Sequence, residues 1–286
     1  MNNKEEISNL EKMRHSASHV LAEAVLKLYP DTKLGIGPAI DSGFYYDFEF
    51  SQPIEQEDLK PIEIEMKKII KRKLPIKQTL MKRKEAIKYL KDIGQDYKLE
   101  LLESIPDEQV SFFVTGESEF VDLCRGPHVE DTGDIGPIKL LKTAGAYWRG
   151  DETKKMLTRI YGAAFETKQD LKEYLEQLEQ AEKRNHRKLG KQLKLFAIIQ
   201  EIGQGLPVWL PRGYRIRRIL EDYMLDLERK HGYEHILTPH INKGQLFETS
   251  GHLGFYKESM YAPIKVEDED YYLKPMNCPS GFMVYK

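Results

Sequence analysis

This sequence predicts an α+β protein in two parts, and three stretches carry that prediction. Residues 10–28 have the spacing of an amphipathic helix, and residues 34–50 have the turn and aromatic chemistry of a hairpin. Residues 167–189 are charge-rich, contain neither Gly nor Pro, and predict a long helix connecting two folded parts. A chain of 286 residues is about two domains by length and is long enough to bury a substantial core.

In the first helix, Lys12, Ser16, Glu23 and Lys27 fall on one stripe, expected to be the wet face. Val20, Leu21, Ala24, Val25 and Leu28 lie opposite. His15 and His19 stand one turn apart at the edge of the wet stripe, beside Ala22 and Leu26, where a groove-lining residue would sit. In the hairpin, Asp41-Ser42-Gly43 supplies the turn and Phe44-Tyr45-Tyr46-Asp47-Phe48 the β-prone arm. A helix over 57–72 follows, with Ile62, Met66, Ile69 and Ile70 at helical spacing and Pro61 in its first turn. Short strands are expected at 76–80, 112–114 and 120–124, and short helices at 85–91 and 97–102. Strands at 138–141, 147–148 and 156–161 complete a sheet.

The connecting helix ends in Lys183, Arg184, His186, Arg187, Lys188, Lys191 and Lys194. Such a run is either a solvated helix end with favourably placed cations or a nucleic-acid contact. The second part opens on loops at 203–207 and 210–213. Neither has Gly-Lys-Ser chemistry, which excludes a P-loop there. Residues 214–231 form an amphipathic helix through Ile216, Ile219, Leu220, Tyr223 and Leu227, stopped by Gly232. Residues 233–239 are expected to be a strand running into Pro239.

Charged residues at 31% and hydrophobic ones at 40% are ordinary proportions. The net charge of −2 leaves any nucleic-acid contact to local patches. Two cysteines make no disulfide framework, and a reducing, cytoplasmic setting fits them. The first six residues hold no apolar signal core. No run approaches the ~20 apolar residues of a membrane span, so no membrane partner is expected.

The chemistry gathers at Asp122-Leu123-Cys124-Arg125-Gly126-Pro127-His128. On a strand, Asp122 and Cys124 aim at one side. With His15 and His19, the residues Cys124 and His128 could hold a zinc ion, closed or with one position left to water. Alternatively, the histidines and Asp122 position and deprotonate a water without metal. His15-Ser-Ala-Ser-His19 lacks the Glu of a His-Glu-x-x-His protease. Cys124 beside His128 offers a nucleophile, but nothing in the flanks activates its thiolate.

These motifs resemble a known family. His15-Ser-Ala-Ser-His19, Leu34-Gly-Ile-Gly-Pro38 and Gly43-Phe-Tyr-Tyr-Asp47 are similar to the start of the editing domain of bacterial threonyl-tRNA synthetases. Asp122 to His128 resembles its second motif. Lys139 to Asp151 and Met156 to Gly162 are more specific matches. Asn185 to Lys191 resembles the beginning of the catalytic domain, and Lys274-Pro-Met-Asn-Cys-Pro279 the segment with its first zinc-ligating cysteine. Against the family, the small domain that precedes the editing domain is expected to be missing from this sequence. The sequence also reads Pro279-Ser280-Gly281-Phe282 where a histidine often follows. The chain is therefore expected to be part of a longer or split enzyme.

The resemblance implies a tRNA-editing domain over 1–166 (the threonyl/alanyl second additional domain) and a linker helix over 167–190. It implies the first part of a class II catalytic domain, with a partial antiparallel sheet, over 191–286. The implied activity is ligation of threonine to its tRNA by the full-length enzyme, with hydrolytic editing of mischarged Ser-tRNA. The alternative is a free-standing editing protein or a non-catalytic tRNA-binding paralogue. Editing is needed because one methyl group separates threonine from serine, worth only about 1–3 kcal/mol of discrimination. By resemblance, His15, His19, Lys98, Asp122, Cys124 and His128 are catalytic. Tyr46 contacts the terminal adenosine, Met276 lies near the threonine pocket, and Cys278 is one of three zinc ligands. Zinc, ATP and Mg serve the full-length enzyme, and the partners are tRNA, threonine and a second copy in a homodimer. Residues 214–231 with Thr238-Pro239 resemble the class II element that forms the dimer interface. This chain alone is expected to edit but not to aminoacylate.

Overall fold

The structure, a computed structural model, describes residues 7–117 and 120–286. The reading of the first six residues as lacking a signal core lies outside the described residues. The chain divides into two compact units, Met1–Arg184 and Asn185–Lys286. Both are α+β, and the strands of every sheet pair antiparallel.

In the first unit, α1 (Asn9–Leu28) starts at Ser8, whose hydroxyl accepts from the Glu11 N–H at 3.2 Å. β1 (Lys33–Leu34), β2 (Ala39–Ile40) and β3 (Gly43–Glu49) follow, then α2 (Leu59–Lys71), with Pro61 in its first turn. β4 (Ile76–Lys82), α3 (Arg83–Asp92), α4 (Asp96–Glu103), β5 (Gln109–Thr115) and β6 (Phe120–Leu123) come next. β7 (Ile138–Tyr147), β8 (Met156–Ala164) and α5 (Lys168–Lys183) complete the unit. One sheet runs β1-β3-β8-β7 with β2 also on β3, and a second runs β4-β5-β6. Strand alternation sends Phe44, Tyr46 and Phe48 of β3 into the core, where they meet Leu21 and Val25 of α1 and Ile62 and Met66 of α2.

Three expectations need correction in this unit. The stripe of α1 expected to be wet is so only at its end: Ser16 and Glu23 are buried and Lys12 is half-buried, while Lys27 is exposed, and Leu28, expected on the buried side, is 41% exposed. The helix packs against β3 and β8 on one side and α2 on another, so residues 16–25 are enclosed all round. Residues 138–147 form one continuous strand with a register shift between Leu140 and Lys142. Trp148 leaves that strand in a short 3-10 turn, with its ring buried and its Nε1–H donating to Glu100 at 2.8 Å. The connecting helix is two helices, because Asn185 caps a new one by accepting from the Arg187 N–H at 2.9 Å. A short polar side chain that bonds the backbone this way competes with helix continuation.

The second unit begins with α6 (His186–Gln192), β9 (Phe196–Ile198), β10 (Pro207–Trp209) and α7 (Pro211–Lys230). Pro211 sits where a helix has no use for the missing N–H. β11 (Ile241–Lys243), α8 (Gly244–Thr249), α9 (His252–Phe255), β12 (Ile264–Val266), β13 (Glu269–Leu273) and α10 (Cys278–Tyr285) follow. The strands pair as β10-β9 and β11-β13-β12. Residues 233–239 are not a strand: they lie on no ladder, and Leu237 is 96% exposed. Among the described residues no helix is long and apolar enough to cross a membrane.

The approach of the Gly37 segment to β3 is close. A Cβ on Gly37 would lie 2.1 Å from Cδ2 of Tyr46, a ring with no exposed surface and no room to step aside. Gly37→Ala is expected to destabilise the first unit by about 1–3 kcal/mol or more. The check is the urea midpoint, and an unchanged midpoint would contradict the packing.

Candidate active site

Three imidazoles and a thiol meet where the first half of α1 faces the loop after β6. One ligand atom each from His15, His19, Cys124 and His128 lies within 4.8 Å of all the others. Helical spacing puts His15 and His19 edge to face at 5.2 Å. Strand alternation sends Asp122 and Cys124 to one side at the end of β6. The chain then turns at Gly126, whose φ of +68° favours glycine. A Cβ there would lie 2.6 Å from the Phe113 ring. The Gly126–Pro127 peptide is cis. His128 returns to stack on His15 at 4.2 Å, and its ring also packs on His19 at 4.2 Å and on Phe113 at 4.3 Å.

Cys124 Sγ stands 3.3 Å from His15 Nε2 and 3.4 Å from His128 Nε2, and it accepts from the Gly126 N–H at 3.2 Å. His15 Nδ1 lies 3.2 Å from the Pro127 carbonyl oxygen. A carbonyl only accepts, so Nδ1 carries the hydrogen and the neutral ring turns the lone pair of Nε2 toward Cys124. Ser16 also reaches the cluster, with its hydroxyl 3.0 Å from His128 Nδ1.

Behind the imidazoles lies a buried carboxylate. Asp122 and Lys98 are each 3% exposed, with Lys98 Nζ 2.6 Å from Asp122 Oδ1. The Tyr46 hydroxyl donates to Asp122 Oδ2 at 2.6 Å, and His19 Nε2 lies 3.7 Å from the same oxygen. Tyr46 was expected to touch a terminal adenosine. Its side chain is fully buried, so it acts on the site through Asp122 instead.

Burial controls the protonation of the group. It lowers the basicity of His15, His19 and His128, most strongly in the last two, where neighbouring imidazoles add to the effect. Burial also pushes the Cys124 thiol up to about 11. At neutral pH the cluster is therefore three neutral bases and a protonated thiol. His15, Cys124 and His128 keep part of their surface exposed, whereas His19 is buried in the core and does not sit at a groove edge as expected. A cleft of about 560 Å³ reaches Cys124 and Arg125, lined by Leu80, Leu101, Ile105, Gln78 and Ser111.

Met276 and Cys278 belong to the second unit, and both are exposed. Among the described residues, three or more metal-binding donors gather only in the His15–His19–Cys124–His128 group, and none gathers about Cys278. The sequence reading missed Ser16 and Phe113 as parts of the site. The available signal was Ser16 and Ser18 within one helical turn, where serine is unfavourable unless its hydroxyl is used.

Residues 110–161 match the family model described as the threonyl and alanyl tRNA synthetase second additional domain. The chain is related over almost all of its length to threonine–tRNA ligases. It is 53% identical to threonine–tRNA ligase 1 of Bacillus subtilis over 97% of this chain and 43% of that protein. It is 53% identical to the threonine–tRNA ligase of Dehalococcoides mccartyi over 98% of this chain and 47% of that protein. Against that of Listeria monocytogenes, identity is 52% over 96% of this chain and 43% of that protein. The chain thus spans less than half the length of these curated relatives. Among solved structures, the RNA binding domain of threonyl-tRNA synthetase from Cryptosporidium parvum matches at 36% identity, over 36% of this chain and 25% of that one, with a TM-score of 0.34.

The lowered histidines make stability depend on pH. Below the ordinary histidine value near 6.5 the unfolded chain binds protons that the folded cluster refuses, so stability falls as pH falls through that window. Each histidine contributes up to about 1.4 kcal/mol per pH unit. Urea midpoints between pH 7.5 and 5 are expected to drop, and His128→Gln is expected to flatten that drop. Equal slopes for the two proteins would contradict this.

Proposed function

We propose that this chain, related along nearly its whole length to threonine–tRNA ligases, hydrolyses the ester of mischarged tRNA and removes serine from tRNA meant for threonine. The observation that carries the reading is the convergence of His15, His19, Cys124 and His128 on one partly open spot. A water there attacks the ester carbonyl carbon and gives its proton to an imidazole Nε2 beside Cys124. The bond from that carbon to the ribose oxygen breaks, and the ribose oxygen takes a proton. Serine and uncharged tRNA leave. Lys98, held by Asp122, provides positive charge for the developing oxyanion. A thiol raised to about 11 stays protonated and does not act as a nucleophile. The aliphatic and polar walls of the 560 Å³ cleft suit a terminal nucleoside.

A metal-assisted version draws on a different observation. The donor set is three histidines and a thiol, and Nδ1 of His19 is buried without a hydrogen-bond partner. Zinc held by three of these four donors would lower the pKa of a water in its open position.

In this reading residues 1–166 are the editing domain, 167–190 the linker and 191–286 the first part of a class II catalytic domain. The longer protein would ligate threonine to tRNA using ATP with Mg, and it would work in the cytoplasm, where free thiols such as Cys124 and Cys278 stay reduced. Zinc at Cys278 needs two further ligands that the described residues do not place around it, so no step is derived through it. A homodimer through α7 accounts for Ile216, Ile219, Leu220 and Tyr223, which stand exposed on that helix.

The test is deacylation of Ser-tRNA by the purified chain. His15→Ala and His128→Ala are each expected to lower the rate by about 100-fold or more. A chain that binds tRNA but leaves the ester intact would favour the non-catalytic paralogue. Rates that survive a chelator support the metal-free route, and loss restored by zinc supports the other. Light scattering is expected to give twice the chain mass, and a monodisperse monomer would contradict the dimer.

A further inference from the structure

We propose that Ser16 is a positioning residue that holds His128 with its hydrogen on Nδ1, so that His128 Nε2 faces Cys124 as an acceptor. The proposal rests on the hydrolytic reading of this site and names a residue that the reading does not use.

The argument is a count of hydrogens. Ser16 is fully buried, so its hydroxyl has only protein neighbours to satisfy it. Three stand within reach: the Lys12 carbonyl oxygen at 2.9 Å, the Val129 N–H at 3.0 Å and His128 Nδ1 at 3.0 Å. A serine hydroxyl gives one hydrogen and takes two. Val129 N–H can only give, and the Lys12 carbonyl can only take. If the hydroxyl gives to Lys12, it takes from Val129 and from His128 Nδ1–H, and all three contacts are hydrogen bonds. If it gives to His128 Nδ1 instead, two oxygens face each other at 2.9 Å with no hydrogen between them. The first arrangement satisfies every group, and a buried polar group left unsatisfied is costly.

The consequence lies on the other side of the ring. His15 is already held with its hydrogen on Nδ1 by the Pro127 carbonyl. With His128 held the same way, two Nε2 lone pairs flank one thiol at 3.3 and 3.4 Å. The thiol has one hydrogen and can satisfy one of them. The other remains free to take a hydrogen from water. In the opposite tautomer, His128 Nε2–H would donate to the sulfur and the thiol hydrogen would occupy His15 Nε2. Neither nitrogen facing the thiol would then have a free lone pair, and the cluster would lose its base beside Cys124. A single buried hydroxyl on α1 thus decides whether a nitrogen beside the thiol can accept a proton.

The test reads the tautomer directly. Long-range nitrogen–proton NMR on the full chain labelled with ¹⁵N-histidine, at pH 7.5, is expected to show His128 protonated at Nδ1, with His128→Asn used for assignment. In Ser16→Ala the Nδ1–H pattern is expected to give way to Nε2–H. Deacylation kcat is expected to fall by about 100-fold with KM unchanged. Ser16→Thr keeps a hydroxyl and is expected to restore both the spectrum and the rate. A wild-type His128 protonated at Nε2 overturns the proposal, whether or not the variants fold. So does an unchanged tautomer in folded Ser16→Ala. A chain that shows the Nδ1–H pattern but hydrolyses no seryl ester upholds the proposal and removes the hydrolytic reading, which keeps the two failures apart.

Discussion

A carboxyl group at 3% exposure needs partners for its oxygens, and Asp122 finds them in residues from separate elements. Lys98 comes from α4 and Tyr46 from β3, while the neutral His19 of α1 stands 3.7 Å away. Removing one partner of such a pair typically costs about 3–5 kcal/mol, roughly a fifth or more of a domain's whole stability. The placement of β3 and α4 against β6 is therefore tied to one side chain. The imidazoles that line the open part of the site rest on that tie.

Burial then does two things at once. It penalises the charged form of the imidazoles, so His15, His19 and His128 are neutral bases at neutral pH. It also keeps the Cys124 thiol protonated, which separates this cluster from a nucleophilic cysteine site. An exposed cluster of the same residues would be partly cationic near pH 6.5 and would have no fixed tautomers. The chemistry comes from low dielectric together with hydrogen-bond geometry, and each ring nitrogen has a defined role only because its neighbour does.

The second unit is built differently. Its sheets have two and three strands, and α7 leaves a row of large apolar residues in water. Ile219 and Tyr223 are each 63% exposed. A helix with such a face is stabilised by covering it. The stretch before β11 shows the same lack of cover, with Leu237 almost wholly exposed and no strand beside it.

Local pattern was enough for much of this molecule. The spacing of His15 and His19, the alternation of Asp122 and Cys124, and the aromatic run of β3 each depend on a few neighbouring residues and on the periods of helix and strand. Those features were legible without a structure, and so were α2, β5 and α7. Ser16 was misread as solvent-facing because a helix cannot show from its own residues what will cover it. Its partner His128 lies 112 positions away. The break at Asn185 was missed because a capping side chain competes with helix continuation, and residues 233–239 were misread because a strand exists only if another pairs with it. The sequence by itself determined which groups could do chemistry. Only the tertiary structure decided their burial, their tautomers and their partners, because solvation and hydrogen-bond direction depend on atoms brought together from distant parts of the chain.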